Sequence, residues 1–215
     1  MIKDNRVFLF DLGRVIIDFD HRIAVGKIKK YCSLAENDIY DLFFDSNITD
    51  RFEKGKLSPQ DFYREIKNML KIDISYEEFA PIWNEIFTPH PGMLEVLETL
   101  KNGYSLYMVS NINQMHYEYL KDKFSQYFKY FKHIFLSYEL GLRKPDPRIY
   151  EYIINKIKFM PKDIIYIDDR PELINSAKTI GIDAFVFNST SDLIKELAKR
   201  DIKLDQACPQ ITSPR

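Results

Sequence analysis

Five short apolar runs, at residues 7–10, 104–109, 133–136, 164–167 and 184–187, constrain the fold more than any other feature of this chain. Each is bounded by polar or turn residues and is too short for a buried helix, so each reads as a buried strand. Helical patterns separate the later runs. Residues 91–101 place Met93, Val96, Leu97 and Leu100 on one face. Residues 146–156 follow the third run and residues 171–179 the fourth. A last helix starts near the capping candidates Thr190 and Ser191 and runs to about Lys199. Strands alternating with helices predict an α/β domain on a parallel sheet covered on both faces.

One segment breaks the alternation. Between residues 22 and 87 only amphipathic helices are legible, among them one with Phe79, Ile82, Trp83 and Ile86 at helical spacing. Ser75 and Glu78 form a capping box for that helix. Another starts at Ser58 with Pro59 in its first position and turns Phe62, Ile66, Met69 and Leu70 inward. With 215 residues there is room for one core and a smaller insert. The expected division is a core of residues 1–20 and 88–200, a four- or five-helix insert over 21–87, and a loose tail over 201–215.

Charge and cysteine usage remove several classes of function. Thirty-one basic and 32 acidic side chains nearly cancel, so no global field recruits nucleic acid or an anionic membrane. The lysines between residues 27 and 30 read as a solvated helix face. No run approaches the ~20 apolar residues that span a membrane, and the opening residues lead into too few apolar positions for a signal peptide. Cys32 and Cys208 make no disulfide framework. The expectation is a cytoplasmic protein that handles small molecules and binds neither nucleic acid nor membrane.

Open α/β sheets bind ligands just beyond the carboxyl ends of their strands, so the chemistry is sought there. The first strand leads into Phe10-Asp11-Leu12-Gly13-Arg14-Val15 and the second into Val109-Ser110-Asn111. Past the third lies Gly141-Leu142-Arg143-Lys144-Pro145-Asp146, and the fourth ends in Ile167-Asp168-Asp169-Arg170. Taken singly, these are ordinary turn, cap and loop residues. Taken together and in order, they supply three carboxylates, a hydroxyl, an amide and a lysine to one cleft. Clustered carboxylates repel unless a cation sits among them, and an oxygen-only ligand set favours magnesium. The hydroxyl, amide and lysine suit phosphate oxygens, and a carboxylate can act as nucleophile.

In order and spacing, these four loops resemble the motifs of the haloacid dehalogenase superfamily, and the insert resembles its small α-helical cap. The resemblance covers residues 7 to about 199 and implies a Rossmann-like, doubly wound parallel sheet with an inserted cap. It implies a phosphatase that hydrolyses a small phosphomonoester through an aspartyl-phosphate with Mg2+. By likeness, Asp11 is nucleophile and metal ligand, and Lys144 acts with it in catalysis. Ser110, Asn111 (through its backbone) and Lys144 hold the phosphoryl group. Asp168 and Asp169 complete the metal site, the second touching the ion more directly. The runs 10–15 and 140–145 look most similar to bacterial phosphatases of α-glucose-1-phosphate, so a sugar phosphate is the expected substrate. One departure stands out. Most phosphatases of the superfamily carry a second Asp two residues after the nucleophile, where this chain has Gly13. Its carbonyl can still bind metal, but no carboxylate can shuttle a proton, and esters with acidic leaving groups such as 1-phosphates are expected to be favoured.

Competing readings are a dehalogenase, which needs neither metal nor the paired Asp168-Asp169, and a binding module whose lost second Asp marks decay. His21, His90, His116 and His133 show no metal-ligand spacing and read as surface or loop residues. Asp18, Asp20 or His21, where the chain leaves the core, could supply the missing proton shuttle. Phe43, Phe44, Phe79 and Trp83 read as packing within the insert.

Overall fold

The computed structural model describes residues 5–44 and 47–204. At its centre β1 (Val7–Phe10) lies between β4 (Ser105–Ser110) and β6 (Ile164–Asp168). β5 (Phe131–Leu136) and β7 (Asp183–Val186) form the edges of a five-stranded parallel sheet ordered β5-β4-β1-β6-β7. All four residues of β1 are buried, which is why it reads as an unbroken apolar run rather than an alternating one. Phe8 and Phe10 enter one apolar cluster, with Leu106, Met108, Ile165 and Ile167. Val7 and Leu9 enter another, with Tyr107, Val109, Ile164 and Tyr166.

Helices cover both clusters, as the doubly wound reading requires. α6 (Met93–Leu100), α7 (Gln114–Lys123), α8 (Ser125–Phe128) and α12 (Thr190–Ala198) contribute to the first. α10 (Pro147–Ile157) and α11 (Pro171–Thr179) contribute to the second. A short α9 (Ser137–Leu140) follows β5. The cap of α12 differs from the expectation. Thr190 is buried with its hydroxyl donating to Pro91 O at 2.7 Å, so Ser189 instead accepts from Asp192 N.

Between the first two sheet strands the chain forms a ribbon that its sequence does not announce. β2 (Ile17–Phe19) pairs antiparallel with β3 (Phe87–Pro89), opposing Phe19 to Phe87. Three residues per strand are too few to show a period. Among the described residues the ribbon brackets five α-helices: α1 (His21–Ile28), α2 (Glu36–Phe44), α3 (Asn47–Glu53), α4 (Pro59–Leu70) and α5 (Tyr76–Asn84). They share an apolar cluster of their own, including Phe43, Phe52, Phe62, Phe79 and Trp83, which Met115 of α7 joins. Ser58 caps α4, and Ser75 with Glu78 makes the expected capping box on α5. Met69 is exposed rather than inward, because the buried stripe of α4 runs through Phe62, Ile66 and Leu70 at intervals of four. In the expected tail, Ile202 is buried against the first cluster, while Cys208 lies outside the described residues. Among the described residues no helix is long and apolar enough to cross a membrane.

Candidate active site

Because β4, β1 and β6 are adjacent and parallel, their carboxyl ends stand side by side. Asp11 follows β1, its N–H donating to Ile167 O at 2.9 Å, while Ser110 ends β4 and Asp168 ends β6. Lys144 enters from the loop before α10 and is almost fully buried. Its ammonium donates to Asp11 Oδ1 and to Asp168 Oδ2, both at 2.7 Å. Asn111 fixes the loop that delivers it: Asn111 Nδ2 donates to Lys144 O at 2.8 Å, and Lys144 N donates to Asn111 Oδ1 at 2.9 Å. Its side-chain amide is therefore engaged with the loop, and its backbone is the part left for a ligand.

The acidic pair is divided in its roles. Asp168 is buried and accepts from Lys144, from the Tyr166 hydroxyl and from Arg170 N at 3.0 Å. Asp169 is half-buried and lines the adjoining cavity. Asp11, Asp168 and Asp169 each offer a carboxylate oxygen, and these oxygens lie within 4.8 Å of one another. Burial raises the Asp11 carboxyl to about 7, a rise opposed by the Lys144 ammonium and reinforced by Asp168. Burial and the charge of Asp168 raise Asp169 as well. Three carboxylates share one lysine, so the cluster carries an excess of negative charge that a cation would relieve. The donor set is oxygen only, so it fits a hard divalent ion such as Mg2+.

These groups open into a cavity of about 450 Å3 between the sheet and the helical insert. Gly13 lies on its floor, and a Cβ built there would meet Phe19 Cε1 at 2.9 Å. Arg14, in a left-handed conformation at φ 58°, sets its guanidinium 5.0 Å from the centre of the same ring. Arg143, one residue before Lys144, reaches the insert, with Nη1 2.7 Å from Asp50 Oδ1 and Nη2 2.7 Å from Glu53 Oε2. Gly55 approaches α9 so closely that a Cβ would stand 2.1 Å from Tyr138 O.

His116 makes a second tie. Asn113 Nδ2 donates to His116 Nδ1 at 3.0 Å, which leaves Nε2–H to donate to Trp83 O at 3.0 Å. Burial lowers its pKa to about 3, although the bond to Trp83 O works the other way. The expectation of a surface or loop histidine fails here, since His116 is buried in the cavity wall. His21 lines the cavity too, and burial together with Arg14 lowers its pKa to about 4. Asp20 caps α1 by accepting from Arg22 N, and Asp18 accepts from Phe19 N. Phe44 and Trp83, expected as packing, also line the cavity. For Trp83 the sequence signal is position, four residues before β3 returns the chain to the core, whereas Phe44, in the middle of the insert, has none.

The sheet order and the strand-end cluster define the molecule as an α/β enzyme of the Rossmann-like kind. The pattern of the haloacid dehalogenase-like hydrolases matches residues 9–187, and the chain belongs to that family. It is 29% identical over 204 residues to the D-ribitol-5-phosphate phosphatase of Bacteroides thetaiotaomicron, covering 92% of this chain and 97% of that one. It is 28% identical over 186 residues to the sesquiterpene phosphatase astK of Aspergillus oryzae, covering 85% and 89%. A solved HAD family enzyme from Bacteroides thetaiotaomicron, in complex with magnesium and inorganic phosphate, superposes with a TM-score of 0.77. That pair is 25% identical and covers 86% of this chain and 95% of the other.

Proposed function

We propose that this hydrolase cleaves a small phosphomonoester, a sugar or polyol phosphate, with Asp11 as nucleophile. One observation carries the reading: a buried lysine bridges Asp11 and Asp168 at 2.7 Å each, beside a third carboxylate. Asp11, Asp168 and Asp169, with the Gly13 carbonyl, would hold Mg2+. Bound there, the ion would offset phosphate charge and favour the ionised Asp11. The phosphatases that match almost the whole chain, and the neighbour crystallised with magnesium and phosphate, support this assignment.

In the proposed reaction a carboxylate oxygen of Asp11 attacks phosphorus, and the bond to the alcohol oxygen breaks. The departing alkoxide takes its proton from solvent, and a water molecule then cleaves the aspartyl-phosphate, restoring the Asp11 carboxylate and releasing inorganic phosphate and a proton. Lys144 remains charged, because the two carboxylates that flank it raise its pKa against the opposing effect of burial. It can therefore balance charge on the transferring oxygens, beside the Ser110 hydroxyl and the backbone N–H near Asn111. The helical insert, residues 21–87, acts as a cap that closes the cleft and selects the alcohol, and residues 1–20 and 88–200 form the core beneath it.

The test is release of phosphate from p-nitrophenyl phosphate by the pure protein with Mg2+ and with EDTA. Metal-dependent release supports the assignment. Absence of release across a panel of phosphate esters would favour the second reading, a catalytically weakened binding module. That reading draws on Phe19, which occupies the space a side chain at residue 13 would enter.

A further inference from the structure

Beneath the strand-end carboxylates lies a buried phenol. Tyr166 precedes Asp168 by two residues on β6, and side chains two apart on a strand share a face. Both residues are wholly buried, and the Tyr166 ring packs in the second apolar cluster with Leu9, Val109, Ile153 and Ile164. A phenylalanine would fill the same space, and a hydroxyl taken out of water there is costly unless it finds a partner. Its partner is Asp168 Oδ2, to which the Tyr166 hydroxyl donates. An ionised carboxylate only accepts, so the direction of this bond is fixed. The centre of the same ring lies 5.7 Å from Lys144 Nζ, within reach of a cation–π contact. Tyr150 of α10 makes the contrast: it is equally buried, but its hydroxyl donates to Leu173 O at 3.2 Å and ties α10 to α11.

We propose that Tyr166 is a positioning residue, whose hydroxyl fixes Asp168 so that Asp168 holds Lys144 while Asp11 carries the phosphoryl group. The inference rests on the phosphatase reading above and adds to it a residue that never touches the substrate.

The geometry gives Tyr166 a place that no other partner of Asp168 has. Arg170 N donates to Oδ1 at 3.0 Å and Lys144 Nζ to Oδ2 at 2.7 Å, both from segments outside the sheet. Tyr166 is held within it, opposite Leu9 of β1 on one side and Ala184 of β7 on the other. The ammonium of Lys144 is itself shared. It donates to Asp11 Oδ1 and Asp168 Oδ2 at 2.7 Å each, and its remaining contact, Val109 O, is at 3.4 Å. Once phosphorus is bonded to an Asp11 oxygen, that side chain is a mixed anhydride and no longer an ionised partner. Asp168 is then the one carboxylate hydrogen-bonded to the ammonium, at the moment when phosphoryl oxygens compete for its protons. A carboxylate free to turn would draw the lysine away from those oxygens, whereas one pinned by Tyr166 gives it a fixed origin. The hydroxyl therefore matters more with Asp11 engaged than with Asp11 free, and interactions that strengthen along the reaction are those that accelerate it.

Tyr166→Phe removes the hydroxyl and keeps the ring, and two ligands tested with Mg2+ present separate positioning from packing. Inorganic phosphate occupies the site without a bond to Asp11, whereas beryllofluoride bonds to a carboxylate oxygen and mimics an aspartyl-phosphate. The variant should bind beryllofluoride about tenfold or more weakly by 19F NMR, the scale of one hydrogen bond to a charged group. Its affinity for inorganic phosphate should stay within about twofold, since Asp11 remains ionised in that complex. The readout is the ratio of the two affinities, which a smaller folded fraction does not move, and Tyr166→Met should shift it in the same direction. In turnover of p-nitrophenyl phosphate, Tyr166→Phe should lower kcat on its own and add little to Asp168→Ala, because the hydroxyl acts through that carboxylate. Equal weakening of both ligands, weakening of neither, or a loss that adds in full to that of Asp168→Ala would overturn the proposal and leave the phosphatase reading intact. A wild-type protein that neither hydrolyses p-nitrophenyl phosphate nor forms the beryllofluoride adduct would overturn the phosphatase reading and the proposal with it.

Discussion

Phe19 Cε1 lies where a side chain on residue 13 would begin. Gly13→Asp alone should therefore push the ring aside and destabilise the fold by about 1–3 kcal/mol, read by chemical denaturation. Combined with Phe19→Ala, the new carboxylate has room to act as a proton donor, a role that contributes about 10² to 10⁴-fold to poor leaving groups. The double variant should narrow the preference for glucose 1-phosphate over glucose 6-phosphate relative to Phe19→Ala, and an unchanged ratio of kcat/KM would show that residue 13 does not set it. Asp11→Asn should fold and yet lose turnover to below about a hundredth of wild type, a larger loss than the mild limit for a mere general acid or base. Asp11, Lys144 and the acidic pair were legible in sequence because each follows its own strand in a loop of recognisable composition. The block at Gly13 was not. It depends on how a ring six residues further on folds back, and no local pattern records that.

At the level of elements, the strand-end carboxylates make the metal site testable piece by piece. Asp168→Ala and Asp169→Ala should each weaken Mg2+ affinity, more so at Asp169, so that turnover needs more Mg2+ and is partly recovered at high Mg2+. Asp168 also partners Lys144, so its variant should keep a defect that magnesium does not restore. α3 brings Thr49, Asp50 and Glu53 to the cavity, so substitutions between residues 44 and 56 should reorder substrates while sparing small aryl phosphates. A ranking unchanged by wide replacement there would remove the insert from substrate selection. Helices of the insert were readable from period and caps, Ser58 and Ser75 above all. β2 and β3 were not, because strands of three residues are defined by their pairing, Ile17 with Pro89 and Phe19 with Phe87, and not by any run of their own.

For the molecule as a whole, the buried His116 predicts an acid-sensitive fold. Its imidazole stays neutral down to about 3 when folded but takes a proton near 6.5 when unfolded. The unfolded chain thus binds more protons between these values, and stability should fall as pH drops from about 6.5 toward 3, by up to about 1.4 kcal/mol per pH unit. Above 6.5 this contribution is constant. His116→Gln keeps a donor for Trp83 O and cannot titrate, so its melting temperature should decline less steeply over that window; parallel curves would exclude His116 as the source. The sheet order has a different consequence, for the growing polypeptide. Val7 pairs with Ser105 on one side and with Ile164 on the other. During synthesis, at about 5–20 residues per second, the strand that leads into Asp11 leaves the ribosome many seconds before either neighbour exists. Its four apolar residues stay without a sheet through all that time, so the delay between strand and partner is set by the order of the sheet.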